Sequence, residues 1–265
     1  MLISILLPTR GRKEPLLKSI KSLYDLADKP DQIELLLGMD EDDIEHIEYV
    51  QKEIIPNFPN VSLYQFKRMG YKKLNIYVNT LAALSKGHWL FDWNDDALMQ
   101  TQGWDTIIHS YDVHPMPLLR TIVAGMLTHP FSIFPIIKRK WFEVVGAVSL
   151  YSHVDRFVYN VNSNIDWPNK KVWVVDIPVH VIHDRYDLTG NNKDETFETS
   201  IKNYNEGHPE NPISDDYEPA FNTVLVATNK LIQYMNDELG ANMRLLELKS
   251  STPIEKVITQ SHGVH

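Results

Sequence analysis

Three aspartates stand close together in the segment HWLFDWNDDALM (88–99): Asp92, Asp95 and Asp96. They follow directly on an aromatic and aliphatic run with the composition of a buried strand. Carboxylates clustered at a strand end are what a hard divalent cation and a diphosphate require, since such an ion takes oxygen ligands. A strand that simply surfaces into a solvated loop accounts for the same residues. Two carboxylates are few for a closed protein site, but they suit an ion that completes its shell with substrate phosphate and water. The chain has no cysteine, which excludes disulfides, thiolate metal sites and thiol nucleophiles. The ion that fits is therefore Mg2+ or Mn2+.

Other groups able to do chemistry are spread along the chain. Thr9, Arg10 and Arg12 surround Gly11 after the first apolar run, either as a basic turn or as part of a phosphate or nucleoside site. Asp40 closes the second apolar run, with Glu41, Asp42 and Asp43 behind it. Asp42 and Asp43 suit the positive end of the helix that follows. Asp40 lies nearer the sheet edge, within reach of a base or ribose. His183 in VIHDRYD comes where an apolar run turns polar, either as a strand-end histidine or as a further metal ligand; His180 is the weaker candidate. Asp155 precedes an aromatic segment, where a half-desolvated carboxylate serves as a general base. Taken alone, Asp155 reads better as a helix N-cap or as the ion-pair partner of Arg156.

The elements that must position these groups follow from periodicity. LISILL (2–7), IELLLGMD (33–40), VSLYQF (61–66) and HWLFDW (88–93) read as strands, the first two as continuous apolar runs. Residues 14–27, 43–55 and 73–86 read as helices between them. Alternating strands and helices build a mostly parallel central sheet with helices on both faces. Ligands bind such sheets outside the carboxyl ends of the strands. PTRGR, GMDEDD and NDDA all belong to those ends, so they should meet along one edge. Further on, 103–111 and 139–147 read as helices, and 121–125 and 131–139 as strands. Residues 171–184 read as one or two strands interrupted at Pro178. The polar loop from Arg185, with 186–200 as a candidate lid, leads to a helix over 215–239 that starts at an acidic cap (Ser214–Asp216) and stops at Gly240. The tail from about 249 is Ser/Thr-rich. We divide the chain into a domain at 1–190, with halves 1–97 and 98–190, and a C-terminal helical extension at 191–265.

Composition narrows the classes further. A 265-residue chain that is 43% hydrophobic and 23% charged has the makings of a globular domain with a sizeable core. A net charge of −9 supplies no basic face for nucleic acid. The N-terminal apolar run breaks at Pro8, with no basic start or cleavage site, and reads as a strand rather than a signal peptide. No stretch approaches the ~20 apolar residues of a membrane span. The expectation is a soluble, cytoplasmic protein, with homo-oligomer formation open.

ISILLPTRGR, IELLLGMDEDD and NTLAALSKGHWLFDWNDDA together resemble the GT-A glycosyltransferases of the inverting, nucleotide-sugar-dependent family-two type. The resemblance spans 2–97 and, more loosely, 139–185. It implies a Rossmann-like GT-A fold, a nucleotide-sugar donor (a UDP-sugar by the match at Asp40), a saccharide, protein or lipid-linked acceptor, and Mn2+ or Mg2+. By position, Pro8, Thr9, Arg10, Arg12, Asp40, Lys73, Asn79 and Asp95 would hold the donor. Asn94, Asp96 and His183 would hold the metal, and Asp155 would be the acceptor-activating base. The chain departs from the pattern in having N-D-D where the family has an acidic D-x-D, a single Asp155 where it has an acidic pair, and EDD after the second strand. Trp89, Trp93, Trp104 and Trp141 are core residues or sugar-stacking platforms. A non-catalytic nucleotide- or sugar-binding relative fits the same residues. A sugar nucleotidyltransferase fits less well, because PTRGRKE has one glycine for clamping a triphosphate. Glycoside hydrolysis needs neither metal nor nucleotide and leaves the clustering at the strand ends without a reason.

Overall fold

The computed structural model describes residues 1–126, 131–167, 171–172, 174–191, 193, 197–198 and 218–247. Its centre is an eight-stranded sheet. In chain order the strands are β1 (Ile3–Thr9), β2 (Ile33–Asp40), β3 (Val61–Phe66), β4 (Trp89–Asp92), β5 (Ala97–Met99), β6 (Leu118–Val123), β7 (Ile136–Lys138) and, after a separate two-stranded ribbon of β8 (Asp166–Trp167) and β9 (Lys171–Val172), β10 (Val174–His183). The spatial order is β3-β2-β1-β4-β7-β6-β10-β5. β7 and β5 run against their neighbours, and the other strands share one direction. The α/β, GT-A-like fold class expected from the sequence is the one observed.

The continuous apolar runs are explained by burial on both faces. From β1, Ile3, Ile5 and Leu7 enter one core with Leu16, Ile20 and Leu23 of α1 (Lys13–Asp25), Ile47 of α2 (Ile44–Tyr49) and Trp104 and Ile108 of α4 (Trp104–His109). Leu6, pointing the other way, joins Val78 and Leu81 of α3 (Leu74–Leu84), Trp141 of α5 (Arg139–Val145) and Phe157 of α6 (Val154–Ser163). Leu231 and Met235 of the C-terminal helix α8 (Glu218–Leu239) belong to this second core, which docks α8 on α5 and α6. The Ser214–Asp216 cap expected for this helix falls outside the described residues. Gly240, at φ +63°, follows its last residue. The tail from 249 also lies outside them.

β1 and the segment before β4 approach closely. A Cβ on Gly87 would fall 2.5 Å from the Ser4 backbone nitrogen, so only glycine fits beside β1 there. Three local expectations change. The 131–139 run yields strand only at 136–138. β10 is one strand through Pro178, because its pairing with β6 shifts register between Asp176 and His180 and the proline sits in that irregularity, where no ladder donor is needed. The start of the polar loop after β10 forms a short helix, α7 (Tyr186–Thr189), ended by Gly190 at φ +82°; most of 191–200 lies outside the described residues. The four tryptophans named as possible sugar platforms, Trp89, Trp93, Trp104 and Trp141, are each 0% exposed and belong to the core.

Candidate active site

The carboxyl ends of β1, β2, β4 and β10 converge, and β5 explains how. The NDD segment is a tight turn between β4 and β5, closed by the Ala97 N–H donating to the Asn94 carbonyl (3.2 Å). β5 then pairs antiparallel with the end of β10, with Ala97 opposite His183. The Asp184 N–H donates to the Asp96 carbonyl (2.7 Å), locking the two segments together. The turn is also tied to α1, where Ser19 Oγ donates to the Asn94 carbonyl (3.1 Å) and receives the Trp93 indole N–H (2.8 Å).

On this frame six predicted residues meet. Thr9 Oγ1 donates to Asp95 Oδ2 at 2.6 Å. Arg12, 8% exposed, donates from Nη1 to Asp95 Oδ1 (2.9 Å) and Asp96 Oδ2 (2.8 Å). His183 Nε2 lies 3.1 Å from Asp96 Oδ1 and 3.4 Å from Asn94 Nδ2. Burial pushes the Asp95 carboxyl up to about 6 against the pull of Arg12, with Asp96 adding to the rise. Burial acts the same way on Asp96, but His183 and Arg12 outweigh it and hold its carboxyl below the usual range. Asp96 is therefore the more acidic member of the pair.

A second constellation adjoins the first. Arg10 donates to Asp40 Oδ2 (3.1 Å) and to both oxygens of Asp42 (2.5 and 3.2 Å). The Tyr77 hydroxyl donates to Asp40 Oδ1. The turn carrying these arginines is shaped by Gly11, at φ +67°. Its N–H donates to Asp43 Oδ2 (2.8 Å) and to His46 Nδ1 (2.9 Å). Burial pushes the His46 imidazolium down, which suits a neutral ring accepting at that nitrogen.

The remaining predicted residues take other places. Pro8 is inside β1, paired with Gly38 of β2. Asp155 lies in the first turn of α6, close enough to Asp92 to raise its carboxyl well above the usual range, after burial as the larger cause. Asp92, the last residue of β4, thus shares the field of Asp155. Lys73 is the exposed last residue of a 3-10 turn, Tyr71–Lys73. Asn79 spends its side chain on the backbone before α6: Oδ1 accepts from the Val148 and Ser149 N–H groups (2.8 and 3.1 Å) and Nδ2 donates to the Ser149 carbonyl (2.8 Å). His180 is exposed and away from the cluster, its N–H donating to Thr101 Oγ1 (2.7 Å).

Sequence reasoning missed Tyr71, Tyr77, His46 and Arg185. Tyr71, 38% exposed, has its phenol pushed up to about 12 by desolvation and by Asp155, with Arg185 opposing and Asp96 and Asp92 adding to it. Its nearness to both acidic groups marks the space between them. Arg185, held by Asp187 (2.6 and 2.5 Å), lies in the field of Tyr71 and Asp96. A basic residue two places after a strand-end histidine was the available signal for Arg185. The two tyrosines and His46 had none, being single polar groups inside ordinary helical and loop patterns.

Asp96 and His183 have the donor chemistry for a divalent ion. Asp96 Oδ1 is buried without an aligned hydrogen bond, although His183 Nε2 is within 3.1 Å. Ligands that sit side by side on an octahedral ion at about 2.1 Å lie about 3 Å apart, so the pair fits a shared metal. Among the described residues no group of three or more histidines and carboxylates is gathered for a metal. The remaining ligands would have to come from a bound substrate and water.

Neither a protein-family model nor a curated protein matches the sequence. Solved structures do match. Residues 1–349 of S. aureus TarS superpose with a TM-score of 0.51 at 12% identity, over 92% of this chain and 76% of that one. The same protein in complex with UDP gives 0.51 at 10% identity, with the same shares. A mannosyltransferase from Pyrobaculum calidifontis, in complex with GDP-Man and Mn2+, gives 0.53 at 10% identity, over 97% of this chain and 78% of that one. The chain shares their fold. At such identities the likeness speaks for architecture, and the chemistry must be argued from the site.

Proposed function

We propose that the protein is a metal-dependent glycosyltransferase that moves a hexosyl group from a nucleoside diphosphate sugar, a UDP-sugar, to an acceptor hydroxyl with inversion. The observation that carries this reading is the meeting of Thr9, Arg12, Asp95, Asp96 and His183 at the carboxyl edge of the sheet, next to Arg10 and Asp40. The likeness to structures that hold UDP, or GDP-Man with Mn2+, supports it.

Asp40 accepts from the nucleoside. Each of its oxygens already has one donor, Tyr77 or Arg10, and a carboxylate oxygen has capacity for a second. Thr9 and Arg12 fix the orientation of Asp95 and Asp96 before any ligand arrives, and preorganisation of this kind reduces the reorganisation needed during reaction. Asp96, His183 and Asn94 would hold Mn2+ or Mg2+, which would stabilise charge on the departing diphosphate. Lys73 faces the same donor from the rim. Asp155 takes the proton from the acceptor hydroxyl, which attacks the anomeric carbon from the face opposite the diphosphate. A single displacement inverts that centre. Asn79 acts at one remove, by holding the 148–149 backbone that leads into α6 and Asp155. Among the described residues no helix is long and apolar enough to cross a membrane, and we place the reaction in the cytoplasm on a saccharide, protein or lipid-linked acceptor.

A panel of nucleotide-sugars incubated with Mn2+ and candidate acceptors tests the reading. Sugar transfer by the wild type, lowered by about 10^2–10^4-fold in Asp155→Asn with nucleotide binding retained, supports it. Metal-dependent affinity without product from any donor would instead make the protein a binding module.

A further inference from the structure

The hydroxyl of Tyr77 joins two parts of the site that the sequence keeps apart. It donates its one proton to Asp40 Oδ1 and accepts the Met69 N–H at 2.9 Å. The ring is 6% exposed and packs at 5.0 Å on Phe66, the last residue of β3. It therefore stands on the rigid frame of α3 and β3, and only its oxygen addresses the loop. Burial first, and then the bond to Asp40, push the phenol up to about 12, so the proton it gives to Asp40 stays with it at neutral pH.

The loop it holds connects β3 to α3. Beyond Met69 comes Gly70 at φ +74°, then the 3-10 turn that begins with Tyr71 and ends with Lys73. Tyr71 lies in the field of Asp155, Asp96 and Asp92, and among the described residues its hydroxyl makes no hydrogen bond. Gly70 alone thus separates a backbone group tethered to Asp40 from the 3-10 turn that carries Tyr71 and Lys73. A looser second tether, Arg68 to Asp42 at 3.7 Å, ties the same loop to the residues behind β2.

We infer that Tyr77 is a positioning residue that couples occupancy of the nucleoside pocket at Asp40 to the ordering of the loop from Met69 to Lys73. The inference rests on the proposed nucleotide site. A nucleoside that bonds to Asp40 must share that carboxylate with Tyr77. Any adjustment of the carboxylate is passed to Met69 through one hydroxyl, and from Met69 to Tyr71.

Hydrogen exchange of the 67–73 amides, with and without UDP and Mn2+, tests this on the full chain and on Tyr77→Phe. UDP affinity is measured by titration on the same samples. In the wild type, UDP should slow exchange across 67–73 by about tenfold or more, as expected when a locally opening segment is tied down. Tyr77→Phe should still bind UDP, within about tenfold of wild-type affinity, yet show no slowing at 69–73. Equal slowing in both proteins would overturn the inference. So would unchanged exchange in a wild type that demonstrably binds UDP, a result that needs no variant. A wild type that fails to bind UDP would instead overturn the nucleotide site, and the coupling with it.

Discussion

Asp96 and His183, 87 residues apart in sequence by their numbers, face each other at 3.1 Å because Ala97 of β5 pairs with His183 at the end of β10. Their contact is a consequence of sheet register. A strand of three residues carries it. Shifting that register by one residue would turn the side chains on one of the two strands to the other face and dissolve the pair.

Arg12 is the residue on which the buried charges depend. Removing it in Arg12→Ala leaves two adjacent buried carboxylates without their shared cation. Breaking a buried ion pair in this way costs about 3–5 kcal/mol, so chemical denaturation should show a large loss of stability. A loss below about 1 kcal/mol would show that the carboxylates are solvated.

The Asp95 carboxyl predicts a pH signature. Its folded value, about 6, lies above the ordinary 3.8, so the proton stabilises the fold. That contribution is complete below about 4 and is lost as pH rises through about 6, amounting to about 3 kcal/mol if the full displacement is expressed. Asp96, Asp176 and Asp187 are displaced downward and act in the opposite sense over the acid range. The test is therefore a difference: wild type should lose stability relative to Asp95→Asn between pH 4 and 6, as read from paired denaturation curves. Parallel curves would contradict the assignment.

Trp93 tests the assignment of the tryptophans to the core. It is fully buried, packs against Phe91 at 5.0 Å and Phe134 at 5.1 Å, and donates to Ser19. Truncation to alanine should cost about 3–5 kcal/mol of stability. A sugar platform would instead lose ligand affinity with stability preserved.

The first half of the fold was legible because β1 and β2 are buried on both faces and so read as unbroken apolar runs. Gly11, Asp40 and the NDD turn were placed correctly at the strand ends for the same reason. β5 was hidden, since Ala97–Met99 is too short for any period to show. Pro178 suggested a break in β10, because a register shift that accommodates proline is a property of the partner strand. Asn79 looked like a ligand-facing polar group, but its amide has the right shape to satisfy two backbone donors and one acceptor across the fold. Tyr71 and Tyr77 acquire meaning only from what tertiary structure sets against their hydroxyls.

Asp155→Asn separates chemistry from binding. Loss of the base should lower transfer by about 10^2–10^4-fold with UDP affinity unchanged, as measured by initial rates against titration. An equal loss in affinity would mean that Asp155 holds the fold or the donor instead.

Isothermal titration of UDP, with and without Mn2+, on the wild type and on Asp96→Ala, addresses the central claim most directly. The wild type should bind UDP at micromolar concentration only with the metal present, and Asp96→Ala should lose that binding. Binding that ignores both the metal and Asp96, or no binding of UDP under any condition, would contradict it.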